Sequence, residues 1–186
     1  LIATAAGSPS QANHRLALAA LPSGPRLTIE TQDNAAVLWD NDSAEIGNAR
    51  PGYNDARTFV IRNPGDATLK GILITVDDEQ SPEFEFGAPL PTSLGPGASA
   101  AVTVIFTPSE LGARMATLHL SADPTNTSGS YDIHLTGIGL SGAQAWRQQY
   151  FLTIENTGPA ADAATPANDG IANLMKFATG MDPPIP

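Results

Sequence analysis

The sequence predicts an all-β fold: an antiparallel β-sandwich followed by a short helical tail. Three observations predict it. Short runs of alternating or continuous apolar residues recur from Leu27 to about residue 140, each closed by a turn signal. The 186 residues include 17 glycines and 16 prolines, a turn-rich composition. Past Gly139 the apolar period changes from that of a strand to that of a helix.

The elements follow in order. Residues 1–26 are apolar but weakly patterned; "HRLALAAL" reads as the end of a preceding domain or a linker, closed by "PSGP" (22–25). "LTIE" (27–30) and "AVLW" (36–39) open the β region, and 40–56 reads as a long polar connection. "RTFVIR" (57–62) alternates and stops at "NPGD", whose proline and glycine make a turn. "GILITV" (71–76) is continuously apolar, as in a strand buried on both faces. "EFEFG" (83–87) alternates acid with aromatic and reads as a solvent-facing edge. "AVTVIF" (101–106), "ARMATLHLS" (113–121) and "YDIHLTG" (131–137) complete the set, the last two joined by the loop 122–130. Strands this short and this regularly spaced suit an immunoglobulin-like sandwich over 27–140. In 141–186, "GAQAWRQQYF" (142–151) sets Trp146 and Tyr150 on one helical face. "IANLMKFATG" (171–180) reads as a second helix with Leu174 and Phe177 inward and Gly180 ending it.

Composition excludes several function classes. The net charge is −10; Lys70 and Lys176 are the only lysines, and the seven arginines are scattered. Nucleic acid and anionic membranes repel such a chain. There is no cysteine, hence no disulfide, thiolate metal site or cysteine nucleophile. No apolar run is long enough to insert across a membrane as a helix. "LIATAAG" has neither a basic n-region nor a sufficient apolar stretch for a signal peptide, and the chain reads as a piece of something longer.

Four stretches in order, "RTFVIRNPGDATLKGILI", "LGPGASAAVTVIFTPSELGARMATLHL", "SADPTN" and "YDIHLTGIG", resemble the ASH/Hydin-like immunoglobulin domain found in large secreted bacterial proteins of the choice-of-anchor kind. The resemblance implies an extracellular or cell-surface setting and a structural or display role. Residues 144–183 resemble a tail that follows such domains, in "WRQQYF", "NTGPAAD" and "NDGIANLMKFATGMDP".

That tail contains a degenerate calcium loop. On EF-hand spacing the ligand positions fall on Thr165, Ala167, Asp169, the Ile171 carbonyl, Asn173 and Lys176. Asp169 is the one carboxylate among them, and a lysine stands where a bidentate acid closes the shell. Asp169 and Asn173 are the candidate ligands, with Asp162 and Asp182 nearby, but the expectation is a retained turn without tight calcium: no cofactor. Asn173 is placed at the helix start, and Lys176 is expected to repel a metal.

Other constellations point weakly to chemistry. Alternation turns His119 and His134 to the outer face, nearly opposite one another at about 5 Å if the hairpin centres on 122–130, with Asp132 diagonal; this is a candidate divalent-metal pair. Asp40, Asp42 and Glu45 are closely spaced oxygens. Glu83 and Glu85 are paired acids without glycosidase spacing, and no serine sits in a nucleophile elbow. At least one of Trp39 and Trp146 is expected in a core. The resulting expectation is a non-catalytic module, not an enzyme. It would space or display neighbouring domains of a longer polypeptide, or bind another surface protein. The rival is a carbohydrate-binding accessory domain of a secreted hydrolase.

Overall fold

A computed structural model describes residues 24–123 and 130–183. The weakly patterned stretch 1–23 and most of the 122–130 loop lie outside the described residues.

Among the described residues, eleven strands form two facing sheets and a small satellite pair. They are β1 (Thr28–Thr31), β2 (Val37–Leu38), β3 (Ser43–Ala49), β4 (Asp55–Arg62), β5 (Leu69–Lys70), β6 (Leu73–Asp77), β7 (Phe84–Phe86), β8 (Ser93–Leu94), β9 (Ser99–Phe106), β10 (Gly112–Ser121) and β11 (Tyr131–Gly139). One sheet has the order β2-β1-β4-β9-β7, the other β3-β11-β10-β6; β5 pairs with β8. The long strands alternate as their sequences require. Val102, Val104 and Phe106 of β9 face Leu118 and Leu120 of β10 and Ile133 and Leu135 of β11 across one core, with Ile29, Phe59 and Ile61 beside them. Phe84 and Phe106 stack with centroids 4.9 Å apart.

Three elements depart from the sequence expectation. The segment read as a polar connection contains β3, whose buried positions are Ala44, Ile46 and Ala49. It pairs parallel to β11, with a register shift at Thr136/Gly137, while the other strand pairs are antiparallel. The apolar run at 71–76 is not buried on both faces. It gives β6, an edge strand in which Ile74 faces the core and Leu73 is 60% exposed. Glu83 does not face solvent in a strand. It ends a 3-10 turn (Ser81–Glu83) and is buried, and the edge strand begins at Phe84.

The outer edge of β3 is covered by β4 side chains. Arg57 Nη1 donates to the Glu45 carbonyl (2.7 Å), and Asp55 Oδ2 accepts from Asn48 N (3.0 Å). An exposed strand edge is a template for unwanted pairing, and these two contacts use up groups that would offer it. Asn63, fully buried, ties the turns at the opposite end. Its Oδ1 accepts from Arg26 N and Gly65 N, and its amide donates to the carbonyls of Ala67, Leu94 and Gly95. The sequence offers only the "NPGD" turn as a sign of this hub.

The chain enters the sandwich at Leu27, beside Tyr131, whose hydroxyl donates to the Leu27 carbonyl (2.9 Å). It leaves after Gly139, where Leu140 N donates to Ala49 O (2.7 Å). Because β11 runs from the first of these sites to the second, the two connections lie at opposite ends.

Beyond β11 come α1 (Gly142–Phe151) and α2 (Asn173–Thr179). A reciprocal capping box fixes the start of α1: Ser141 Oγ accepts from Gln144 N, and the Gln144 side chain accepts from Ser141 N. α2 starts two residues later than the period suggested, has no side-chain cap at Ala172, and ends at Gly180 with φ 69°.

Candidate functional site

The two outward histidines do not face each other. In the β10–β11 ladder His119 is opposite Asp132, and His134 is opposite Thr117. The hairpin register is offset from the one expected, which moves the carboxylate, not the second imidazole, into the facing position. His119 is clamped between acids on both neighbouring strands, Nδ1 2.7 Å from Asp132 Oδ1 and Nε2 2.9 Å from Asp77 Oδ1. A neutral imidazole has one N–H, so it can satisfy one carboxylate and must point a lone pair at the other. Both contacts are satisfied only by imidazolium, and the hydrogen bond to Asp77, then that to Asp132, holds its pKa above the ordinary value. Among the described residues no group of three or more His, Asp or Glu side chains is arranged to hold a metal ion.

Of the other candidate acids, Asp40, Asp42 and Glu83 are engaged in local structure. Asp40 Oδ1 accepts from Asp132 N (2.8 Å), and Asp42 Oδ2 accepts from Trp39 N (2.7 Å). Both therefore shape the β2–β3 turn. Glu83 is held by Arg114 and by the Ser109 hydroxyl, the latter at 2.5 Å. Its carboxyl lies below the usual range, because Arg114 donates to it against the opposing effect of burial. Paired in this way, it is neither a raised-pKa general acid nor an available nucleophile. Trp39 is 68% exposed and lies outside the core, while Trp146 is half-buried against Tyr150, Phe151 and Phe177.

The tail is built around buried polar groups. Arg147 Nη2 meets Asp162 Oδ1 at 2.5 Å, and Asp162 also accepts from Asn156 Nδ2 (3.1 Å). Asn173 does not cap α2: its side chain turns into the linker and donates to the carbonyls of Pro159 (2.7 Å) and Ala161 (2.9 Å). Leu174, expected inward, is 53% exposed, and the buried positions of α2 are Asn173 and Lys176. Lys176 Nζ lies 2.9 Å from Asp169 Oδ2. An apolar groove of about 960 Å³ runs between the end of α1 and the linker, lined by Tyr150, Phe151, Leu152 and Pro159 among others. Tyr150 is its titratable lining residue; the hydroxyl donates to Asp182, which raises its pKa and makes it a poor base or nucleophile.

With this geometry established, comparison with known proteins adds the family. Residues 35–137 match the model of the HYDIN/CFA65/VesB-like, Ig-like domain. The chain belongs to that family.

This HYDIN/VesB-like Ig domain is similar in fold to several solved structures. The ASH/PapD-like domain of human CEP192 shares 14% identity, with 72% of this chain and 99% of that one covered and a TM-score of 0.46. A protein of unknown function from Porphyromonas gingivalis W83 shares 16%, with 66% and 51% covered and a TM-score of 0.45. The secreted serine protease VesC from Vibrio cholerae shares 19%, with 58% and 24% covered and a TM-score of 0.39. The matched region thus spans about half of the Porphyromonas protein and about a quarter of the protease. Comparison with curated proteins found no match. No helix among the described residues is long and apolar enough to cross a membrane.

Proposed function

We propose that this Ig-like module is a non-catalytic spacer that holds and orients the polypeptide joined at its two ends, in a secreted or cell-surface protein. The observation that carries the reading is the placement of those ends. The chain enters beside Tyr131 and leaves beside Ala49, separated by the full length of β11. Nine strand residues at ~3.3 Å each set that separation at roughly 30 Å. The groups with potential for chemistry support the same reading, since Glu83, His119 and Asp169 are each committed to a structural pair. The extracellular setting rests on the resemblance of the "NPGD" and "LGPGAS" segments to domains of secreted bacterial proteins.

The absence of native cysteine makes the test direct. Spin labels on Arg26→Cys and Ala143→Cys should give one narrow distance distribution near 30 Å. A broad or short distribution, or turnover in a polysaccharide, ester and peptide panel that is lost on mutating a single acid or serine, would sink the proposal.

A carbohydrate-binding role draws on one observation, the exposed Trp39. Its ring stands at the end where the chain enters, whereas exposed Tyr53 lies at the other end with Arg50 over its face, 4.4 Å from the centroid. The two rings therefore cannot form one stacking platform. Oligosaccharide titrations with Trp39→Ala as control decide between the readings.

A further inference from the structure

We infer that the Lys176 ammonium takes the place a metal ion would hold in the 165–176 loop, so that the tail closes without metal. The side chain is 2% exposed, and Nζ lies 2.9 Å from Asp169 Oδ2. A buried ammonium is costly unless an anion accompanies it, and Asp169 is that anion. The ammonium beside it holds the Asp169 carboxyl below its usual pKa. The other carboxylate oxygen, Oδ1, accepts from Ile171 N (2.9 Å), and Gly170 takes φ 75° between them. One side chain thus joins the loop to the helix that follows, as a bound cation would.

The other residues do not fit a calcium ion. Six to eight oxygens must converge on it. Asp162 is committed to Arg147 and Asn156, and Asp182 to Tyr150. The Asn173 amide nitrogen donates to the Pro159 and Ala161 carbonyls, which leaves its buried Oδ1, without a hydrogen-bond partner, as a single neutral oxygen. To enter, a divalent ion would have to sit beside a buried positive charge or expel Lys176 from the buried face of α2. A helix of seven residues is too short to stand without such tertiary ties.

Amide NMR on the full chain tests this, with calcium titrated to millimolar against a chelator. In the wild type, the amides of 165–176 should not shift with calcium, and α2 should keep the same exchange protection in chelator. Lys176→Met keeps the aliphatic stem and removes the charge; it should lose protection across α2 while β9 and β10 keep theirs. Saturable calcium shifts at 169–176 in the wild type would overturn the inference, and that measurement needs no variant to fold. Full protection of α2 in Lys176→Met would overturn it as well.

Discussion

Arg114 on β10 forks onto Glu83, the residue before β7, with Nε 2.9 Å from Oε2 and Nη2 2.7 Å from Oε1. The side chains are 14% and 9% exposed. A two-pronged contact of this kind fixes orientation as well as charge. It ties the edge of one sheet to the inner strand of the other.

Removing one partner leaves the other charge buried. Glu83→Ala or Arg114→Ala should each cost about 3–5 kcal/mol, in the range of a broken buried pair, and the double variant should cost less than the sum. Urea unfolding of the three variants measures this. Additive losses would mean the pair is not coupled. Because the folded carboxyl is depressed, its contribution is complete above the ordinary Glu value of about 4.3. It is lost as pH falls through the lower folded value.

His119 has the opposite sign. Its folded pKa is raised by Asp77 and Asp132, so its contribution is complete below the ordinary value of about 6.5. That contribution is lost as pH rises through the higher folded value. Unfolding midpoints of the wild type should therefore decline as pH rises above about 6.5 more than those of His119→Gln. Parallel pH profiles would refute the clamp.

Gly139 and Gly137 should differ in their tolerance of a side chain. A Cβ at 139 would meet the Glu110 carbonyl oxygen at 1.9 Å, which is backbone. A Cβ at 137 would meet the Phe106 ring at 2.6 Å, a side chain that can rotate at a cost. Gly137→Ala should cost about 1–3 kcal/mol, typical of overpacking, and Gly139→Ala more. Thermal unfolding ranks them, and equal stability of Gly139→Ala and wild type would contradict the close approach.

Arg147 organises the linker through Asp162. Arg147→Ala should speed proteolysis within 153–167 severalfold, because the linker's ties to α1 set its local opening. The sandwich fragment close to 27–140 should remain as the resistant product. Early cuts inside β9 or β10, or no change in the linker, would count against this division.

Strong alternation made the central strands readable in the sequence. Val102, Val104 and Phe106, or Leu118 and Leu120, leave little choice of face. β3 escaped because two of its three inward residues are alanines and Gly47 interrupts the pattern, so its apolar signal is weak. β6 misled in the other direction: an apolar run does not reveal that Leu73 lies on an edge with nothing covering it. The His119–Asp132 pairing was hidden because the length of a loop does not fix register, and a small slip changes every facing pair. The Lys176–Asp169 pair is not legible in the sequence because it depends on how the loop folds. Spacing gives the position of Asp169, not the direction of its carboxylate.

The connections at opposite ends of the sandwich determine how the module bears load. Tension applied through residues 27 and 140 acts along β1 and β11, each hydrogen-bonded to neighbours that run alongside it. The β1–β4 and β11–β3 ladders are then sheared, and their bonds must yield together instead of opening one at a time like a zipper. Pulled from these ends, the sandwich should resist with a single high force peak. Pulled across the β10–β11 hairpin, it should peel at lower force, and equal forces in the two geometries would show that strand direction does not govern its strength.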